Sequence, residues 1–219
     1  MTPGLIIRKN VLFLMGGLLI IVGSLFFILQ YDQATIHLWS DARHSIWGDQ
    51  WMPFLTHLGD GLAFILLALI AVLFFDRRAL ATVLISAVLT LLITAGLKAA
   101  FNEDRPLKYF EKQGIELNQV EGVKPRYKHS FPSGHTTTAF AIWGILAFWL
   151  RKKPWQLLCV LIAATAAYSR IYLNMHFLRD VSAGAALGCF IMILSLFLTF
   201  KLKSTWFTKT WFKWGNEVL

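Results

Sequence analysis

Two histidines, one aspartate and three cations interrupt an otherwise apolar chain in three short tracts. These are Lys98 through Arg105-Pro106, then Pro132-Ser133-Gly134-His135, then Ser169-Arg170 followed by His176 and Asp180. Their residue types suit the cutting of a phosphate ester. A spacing of four puts His176 and Asp180 on one face of a continuous helix, within hydrogen-bonding range. A carboxylate so placed fixes the imidazole tautomer and stabilises its charged form, leaving the other ring nitrogen free to attack. Ser133 reads as the cap of the helix that follows, Gly134 permits close backbone approach, and free N–H groups at a helix start attract phosphate. His135 beside such a site can give or take a proton. Lys98 and Arg105 would share a face if the helix ran on, but Pro106 predicts a bend there that lets both converge on one anion. Taken alone, those two cations read first as side chains snorkelling toward headgroups.

The elements that carry these tracts belong to a membrane. Hydrophobic residues make up 57% of the 219 and charged residues 15%, against ~45–50% and ~25% in soluble domains. Lipid offers no partner to an unpaired backbone group, so apolar stretches of about twenty residues cross a ~30 Å hydrocarbon layer as helices. Six are expected, over 11–29, 56–75, 79–98, 136–150, 155–173 and 181–200. The fold class is therefore all-α: a polytopic membrane protein with six transmembrane helices in one bundle and both termini cytoplasmic. The first stretch is too long for a secretory signal and lacks a small-x-small cleavage site before Gln30-Tyr31-Asp32, so it is expected to stay as an anchor. Cys159 and Cys189 fall within apolar helices and read as small packing residues.

Orientation follows from basic residues flanking the spans. Arg8-Lys9, Arg77-Arg78, Arg151-Lys152-Lys153 and the tail lysines 201, 203, 209 and 213 fall on one side, which should be cytoplasmic. The opposite loop 30–55 has only Arg43 against Asp32, Asp41 and Asp49. Loop 99–134 breaks the pattern with Arg105, Lys108, Lys112, Lys124, Arg126 and Lys128. A basic loop on the outer face calls for an anionic ligand, and it accounts for part of the net charge of +9.

No repeat, low-complexity tract or linker divides residues 1–219, which read as a single domain. Within loop 102–131, Tyr109-Phe110 and Ile115 can rest on the membrane surface as a lid or stand in a solvated loop. Gly184 and Gly188 form a small-xxx-small pattern that favours close packing within the monomer. Trp206-Phe207 and Trp211-Phe212-Lys213-Trp214 suit the headgroup zone. Asp60 reads as a helix cap amid His57, Gly59 and Gly61, with headgroup contact as the alternative. Asn174 and Arg179 read as structural, Asn174 as a candidate cap at the turn before the sixth helix.

Energetics joins the tracts. An ionised side chain in hydrocarbon costs ~2.5–3.5 kcal/mol on insertion scales, so such groups pair or face a wet cavity. Lys98, Arg105 and Arg170 outnumber the one acid among the residues singled out in the tracts, Asp180, which His176 already claims. The cation excess fits a dianionic phosphate.

Written as Lys98-x6-Arg105-Pro106, Pro132-Ser133-Gly134-His135 and Ser169-Arg170-x5-His176-x3-Asp180, the tracts resemble the three signatures of the type 2 phosphatidic acid phosphatase family of integral membrane lipid phosphatases. Eleven specified positions, each residue type near ~5% usage, do not coincide by chance. The resemblance spans residues 98–180. It implies that His176 is the nucleophile, forming a phosphohistidine that water then hydrolyses, that Asp180 orients it, and that His135 protonates the leaving group. Lys98, Arg105, Ser133, the Gly134 N–H and Arg170 would bind the phosphoryl oxygens. No metal and no other cofactor is implied. Phe177-Leu178 replaces the aromatic-Pro pair often found in the family, which makes substrate selectivity harder to carry over. The implied substrates are undecaprenyl diphosphate, phosphatidylglycerol phosphate, phosphatidic acid or a lipid A phosphate. The expected partners are that lipid and the surrounding membrane, with no nucleic acid and no obligate protein partner. The implied location is a bacterial cytoplasmic (inner) membrane, with the site facing the periplasm or cell exterior. A phosphotransferase that passes the same phosphoryl group to a lipid acceptor is the near alternative. Soluble vanadium-dependent haloperoxidases share the anion-binding constellation but not the apolar spans.

Overall fold

Short polar residues close the apolar stretches, and the helix boundaries follow from those caps. The computed structural model describes residues 1–202 and 204–211. In chain order its helices are α1 (Pro3–Lys9), α2 (Val11–Gln30), α3 (Gln33–Asp41), α4 (Ile46–Leu55), α5 (Gly61–Phe74), α6 (Arg77–Phe101), α7 (Pro106–Glu111), α8 (Gly134–Leu150), α9 (Lys153–Tyr172) and α10 (Leu178–Lys201). No strand forms among the described residues beyond two isolated bridges, Asp76 with Thr210 and Asp104 with Lys128. Asp32, Asp60 and Asp76 each accept a backbone N–H from the first turn of α3, α5 and α6, satisfying donors that the helix itself leaves free. Asn102, at φ 43°, ends α6 in the left-handed region.

A helix occupies each of the six expected apolar stretches. Three of them, α2, α6 and α10, are individually long and apolar enough to cross a membrane. A fourth crossing results if α4, the 3₁₀ turn Thr56–Gly59 and α5 count as one span, bent by 55°. The second stretch was expected to start at 56 and instead starts at Gly61, because Asp60 takes the cap position and the preceding four residues wind as 3₁₀.

α8 lies at the centre, packed by α2, α5, α6, α9 and α10. Phe140, Ile145, Ala139 and Ala147 are fully buried along it. Two glycines bring α10 against it. A Cβ on Gly184 would stand 2.7 Å from the Ser133 carbonyl oxygen, and one on Gly188 would stand 2.5 Å from that of Thr137. The small-xxx-small pattern thus serves packing within the monomer. Cys159 and Cys189 are both free thiols within helices, and Cys189 Sγ fills space beside Gly17.

Within loop 102–131 Ile115 is exposed, whereas Phe110 departs from both expectations for it. Phe110, on α7, turns inward with no exposure and packs with His37 and Phe177; its burial against the turn after α9 outweighs contact with lipid or water. In the tail, Arg77 lies 4.7 Å from the ring centres of both Trp206 and Trp211. Lys203 and Phe212-Lys213-Trp214 lie outside the described residues.

Because α10 has no room for a side chain at 188, Gly188→Ala is expected to lower stability in detergent by about 1–3 kcal/mol through overpacking. Gly23→Ala, on α2 with nothing within 4 Å of the new methyl, should leave the thermal midpoint unchanged or raise it. Equal midpoints for Gly188→Ala and the parent would remove the close-packing account.

Candidate active site

The three tracts meet where α6, α8, α9 and α10 end or begin on one side of the bundle. α8 starts at Gly134 because Ser133 adopts an extended backbone and its Oγ accepts from Thr136 N. Thr136 Oγ1 and Thr137 Oγ1 bond to Ser133 as well, at 2.9 Å each, so the threonine run secures the cap. The Gly134 and His135 N–H groups have no acceptor within the helix and point beyond its start. Lys98, in the last turn of α6, places its Nζ 3.7 Å from where a Gly134 Cβ would be. An ammonium and a helix N-terminus therefore face one small volume.

Arg170 is buried on the last turn of α9, and its Nη1 donates to Thr56 Oγ1. Its Nε has no partner. Arg105 is used differently from what its place in the motif suggests. It caps α7 with extended backbone, as Pro106 requires, and its guanidinium ties together three carbonyls: Nε to Lys128 at 2.9 Å, Nη1 to Met175 at 3.1 Å and Nη2 to His129 at 3.5 Å. Those bonds hold the basic loop against the turn that carries His176. Burial, followed by the nearby charge of Arg126, lowers the Arg105 pKa to about 10, which leaves it charged at neutral pH.

His176 sits in the turn between α9 and α10, 1% exposed. The helix expected to carry both His176 and Asp180 begins only at Leu178, so the pair does not share a helical face. It is the turn that brings them together, with Nδ1 3.6 Å from Asp180 Oδ2, beyond hydrogen-bond length. Asp180 Oδ2 instead accepts from Ser130 Oγ at 2.6 Å and from the Phe177 N–H at 3.0 Å, capping α10. The Asp180 carbonyl also accepts from Ser133 N at 3.0 Å. Burial, then the charges of Arg105, Arg170 and Lys98, hold the His176 imidazole well below its usual pKa. A neutral imidazole is the nucleophilic form. The charges of Arg170, His176 and Lys98 act on His135 too, which places both imidazoles in one electrostatic neighbourhood.

Every residue singled out in the tracts is therefore drawn to this end of the bundle. Thr56, Gly59 and Ser130 join them without having been foreseen. A Cβ on Gly59 would lie 2.6 Å from the His135 carbonyl oxygen, so the 3₁₀ turn presses on the start of α8. Only Ser130, three residues before Ser133, had a sequence position that hinted at involvement. Asp60 caps α5 and holds His57 Nδ1 at 2.7 Å, as its cap reading required. Arg179 pairs with Glu103. Asn174 does not cap α10: it stands in the turn at φ 55°, and the cap position belongs to Phe177.

The model of the PAP2 superfamily matches residues 79–204. The chain is 29% identical to the phosphatidylglycerophosphatase B of Bacillus subtilis over 68% of its own length and 73% of that protein's. It is 27% identical to an undecaprenyl-diphosphatase of Sulfolobus acidocaldarius over 66% of this chain and 68% of the other. Among solved structures, LpxE of Aquifex aeolicus superposes with a TM-score of 0.67 at 26% identity, over 74% of this chain and 93% of that one.

Behind the turn that carries His176, His37 of α3 is 1% exposed, packed between Phe110 and Phe177, with Nε2 2.7 Å from Asn174 Oδ1. Burial lowers its pKa from 6.5 to about 4, against the opposing effects of Asn174, Asp41 and Asp180. The folded value lies below the unfolded one, so protonation favours unfolding. Stability from this residue is fully present above pH 6.5 and is lost as pH falls from there toward about 4; His176 acts in the same direction. The thermal midpoint in detergent should fall across that window, and less steeply in His37→Gln. A midpoint indifferent to pH between 6.5 and 4 would contradict the buried, neutral state of His37.

Proposed function

This chain belongs to the PAP2 superfamily and is a phosphatase, and we propose that it hydrolyses a lipid phosphate or diphosphate through a phosphohistidine formed on His176. The observation that carries the reading is a buried imidazole, His176, 3.6 Å from Asp180 and beside a turn held by Arg105, at the end of the bundle where Lys98 Nζ faces the start of α8. The phosphoryl group binds with its oxygens toward Lys98 Nζ, the Gly134 and His135 N–H groups, Ser133 and the unengaged N–H donors of Arg170 and Arg105. Those donors stabilise the charge that builds on the equatorial oxygens as phosphorus transfers. A His176 ring nitrogen forms the N–P bond while the ester P–O bond breaks, and His135 gives its proton to the departing oxygen. The dianionic substrate offsets the surrounding cations and so lets His135 carry that proton. Water then attacks phosphorus, His135 takes the water's proton, and the N–P bond breaks to free phosphate. Asp180 faces the His176 Nδ1 and stabilises the positive charge the ring acquires.

An apolar groove supports a lipid substrate. It has a volume of about 520 Å³ and runs between α5 and α6 from Phe64, Ile65 and Leu91 to Gly134 and Thr138 at the start of α8. Ile65, Leu84 and Leu91 remain more than half exposed along it, so an acyl or prenyl chain can reach the cradle from the side while its phosphate meets Lys98. A soluble phosphate ester has no use for such a surface.

The same reading assigns six crossings: α2, α4 with α5, α6, α8, α9 and α10. Basic residues gather at the end remote from the site. Gln156 bonds the carbonyls of Lys9 and Arg151, and Arg78 donates to that of Leu202. The excess of cations there supports cytoplasmic termini, a site on the opposite face and residence in the cytoplasmic membrane of a bacterium. The lipid is one of phosphatidylglycerol phosphate, undecaprenyl diphosphate, phosphatidic acid and lipid A phosphate. Transfer to a lipid acceptor uses the same intermediate and differs only in what attacks it.

Detergent-purified protein should release inorganic phosphate from at least one of the four lipids with EDTA present. His176→Ala should reduce the rate by roughly 10⁴-fold or more, and His135→Ala by about 10²–10⁴-fold. Undiminished release by His176→Ala would eliminate the phosphohistidine. A phosphorylated second lipid formed without free phosphate would assign the transferase instead.

A further inference from the structure

Building on the assignment of His176 as nucleophile, we propose that Asn174, Asp41 and His37 form a positioning set that holds the nucleophile turn in its attacking geometry. None of the three belongs to the motif tracts or reaches the phosphate cradle. The set is built around the Asn174 side-chain amide, which is 2% exposed and fully bonded. Its Oδ1 accepts from His37 Nε2 at 2.7 Å, and its Nδ2 donates to Asp41 Oδ1 at 2.8 Å and to the Asn118 carbonyl at 2.7 Å. An amide oxygen only accepts, so the bond fixes the proton of neutral His37 on Nε2. Asp41 is itself 7% exposed and accepts from Asn118 N at 3.2 Å and from Asn118 Nδ2 at 3.0 Å. His44 Nε2 stands 3.8 Å from it. Three segments distant in sequence, α3, the loop at Asn118 and the turn after α9, are thereby locked together.

What the lock holds is the backbone beneath His176. Asn174 stands at φ 55°, a conformation that favours glycine. Directly after it, the Met175 and His176 N–H groups both fold back onto the Arg170 carbonyl, at 3.0 and 3.1 Å. Glycine would serve the turn on backbone grounds alone. An asparagine with every side-chain donor and acceptor engaged adds a fixed orientation, tied to a buried carboxylate that needs those donors. Among the described cationic side chains around His176, that of Arg105 bonds this turn, through the Met175 carbonyl. Lys98 and Arg170 are held by α6 and α9. Loosening the amide lock therefore moves the attacking nitrogen while leaving phosphate binding largely in place, and displacements of about 1 Å cost on the order of 10²-fold in rate.

Asn174→Asp keeps the shape and the acceptor for His37 but turns the second donor into an oxygen facing Asp41. It should lower kcat by about 10- to 100-fold with KM within about twofold of the parent. The exchange Asp41→Asn with Asn174→Asp restores one donor–acceptor pair with its direction reversed and should recover at least about tenfold of the loss. A residue that merely supports folding would lower the amount of folded protein and leave kcat per folded molecule alone. Wild-type kcat in folded Asn174→Asp, or no recovery in the exchange, would overturn the positioning role. If Asn174→Asp does not fold, His37→Phe keeps the packing with Phe110 and Phe177, removes the donor, and should show the same drop in kcat at constant KM; an unchanged kcat there overturns the proposal equally. His176→Ala assayed in parallel separates the two readings, since activity surviving in that variant refutes the phosphohistidine itself, whatever the Asn174 variants do.

Discussion

A single buried carboxylate organises this end of the molecule. Asp180 lies at 0% exposure, and a charge or proton-sharing group so placed persists only if its neighbours supply donors. The neighbours come from every part of the site. Ser130 reaches it from the basic loop, the Phe177 N–H from the nucleophile turn, and its own backbone carbonyl receives Ser133 from the cap of α8. Removing the carboxylate would release the start of α10 and Ser130 of the basic loop at once, while the backbone bond from Ser133 to the Asp180 carbonyl would remain. The proximity of His176 to Asp180 is thus one consequence of a wider bonding pattern, and the 3.6 Å gap shows that the carboxylate serves the scaffold as much as the imidazole.

Around that carboxylate the balance of charge is set by exclusion. Loop 102–131 pairs much of its own charge, with Lys108 and Lys112 on Asp104 and Arg179 on Glu103, while Lys98 and Arg170 are left without acids. Their positions are held by the helices that carry them, and Arg105 is held by carbonyls. Such an excess of cation over acid suits an anion, and the Arg105 guanidinium is already fixed by carbonyls.

The residue types and order of the three tracts made the family and its phosphatase character legible, because its signatures are defined by which residues stand at which spacing. The helix caps at Ser133 and Asp60 were legible for a local reason: each acts within three residues of itself. What could not be read is what depends on contacts between distant segments. His176 and Asp180 looked like neighbours on one helix, yet they meet because the chain turns at Asn174 and α10 begins two residues after His176. The part of Arg105 that could not be read is structural: three of its donors go to carbonyls 23 to 70 residues away. Thr56 and the Asp41–Asn174 pair have no local signature, since a hydroxyl or amide gains its role only from the partner that folding delivers. Phe110 was misread for a related reason: its burial against Phe177 is a tertiary event that an amphipathic loop pattern does not encode.

The length of α8 carries a consequence for depth. Its 17 residues rise about 26 Å, short of a hydrocarbon layer of about 30 Å. On the proposed topology, with the end of α8 at the cytoplasmic boundary, its opening turn falls beneath the plane where lipid phosphates ordinarily rest. A headgroup must sink by several ångströms and shed water on the way to reach the Gly134 N–H. The bilayer itself then acts as a gauge: thinner membranes would bring headgroups nearer the cradle, and thicker ones would hold them off.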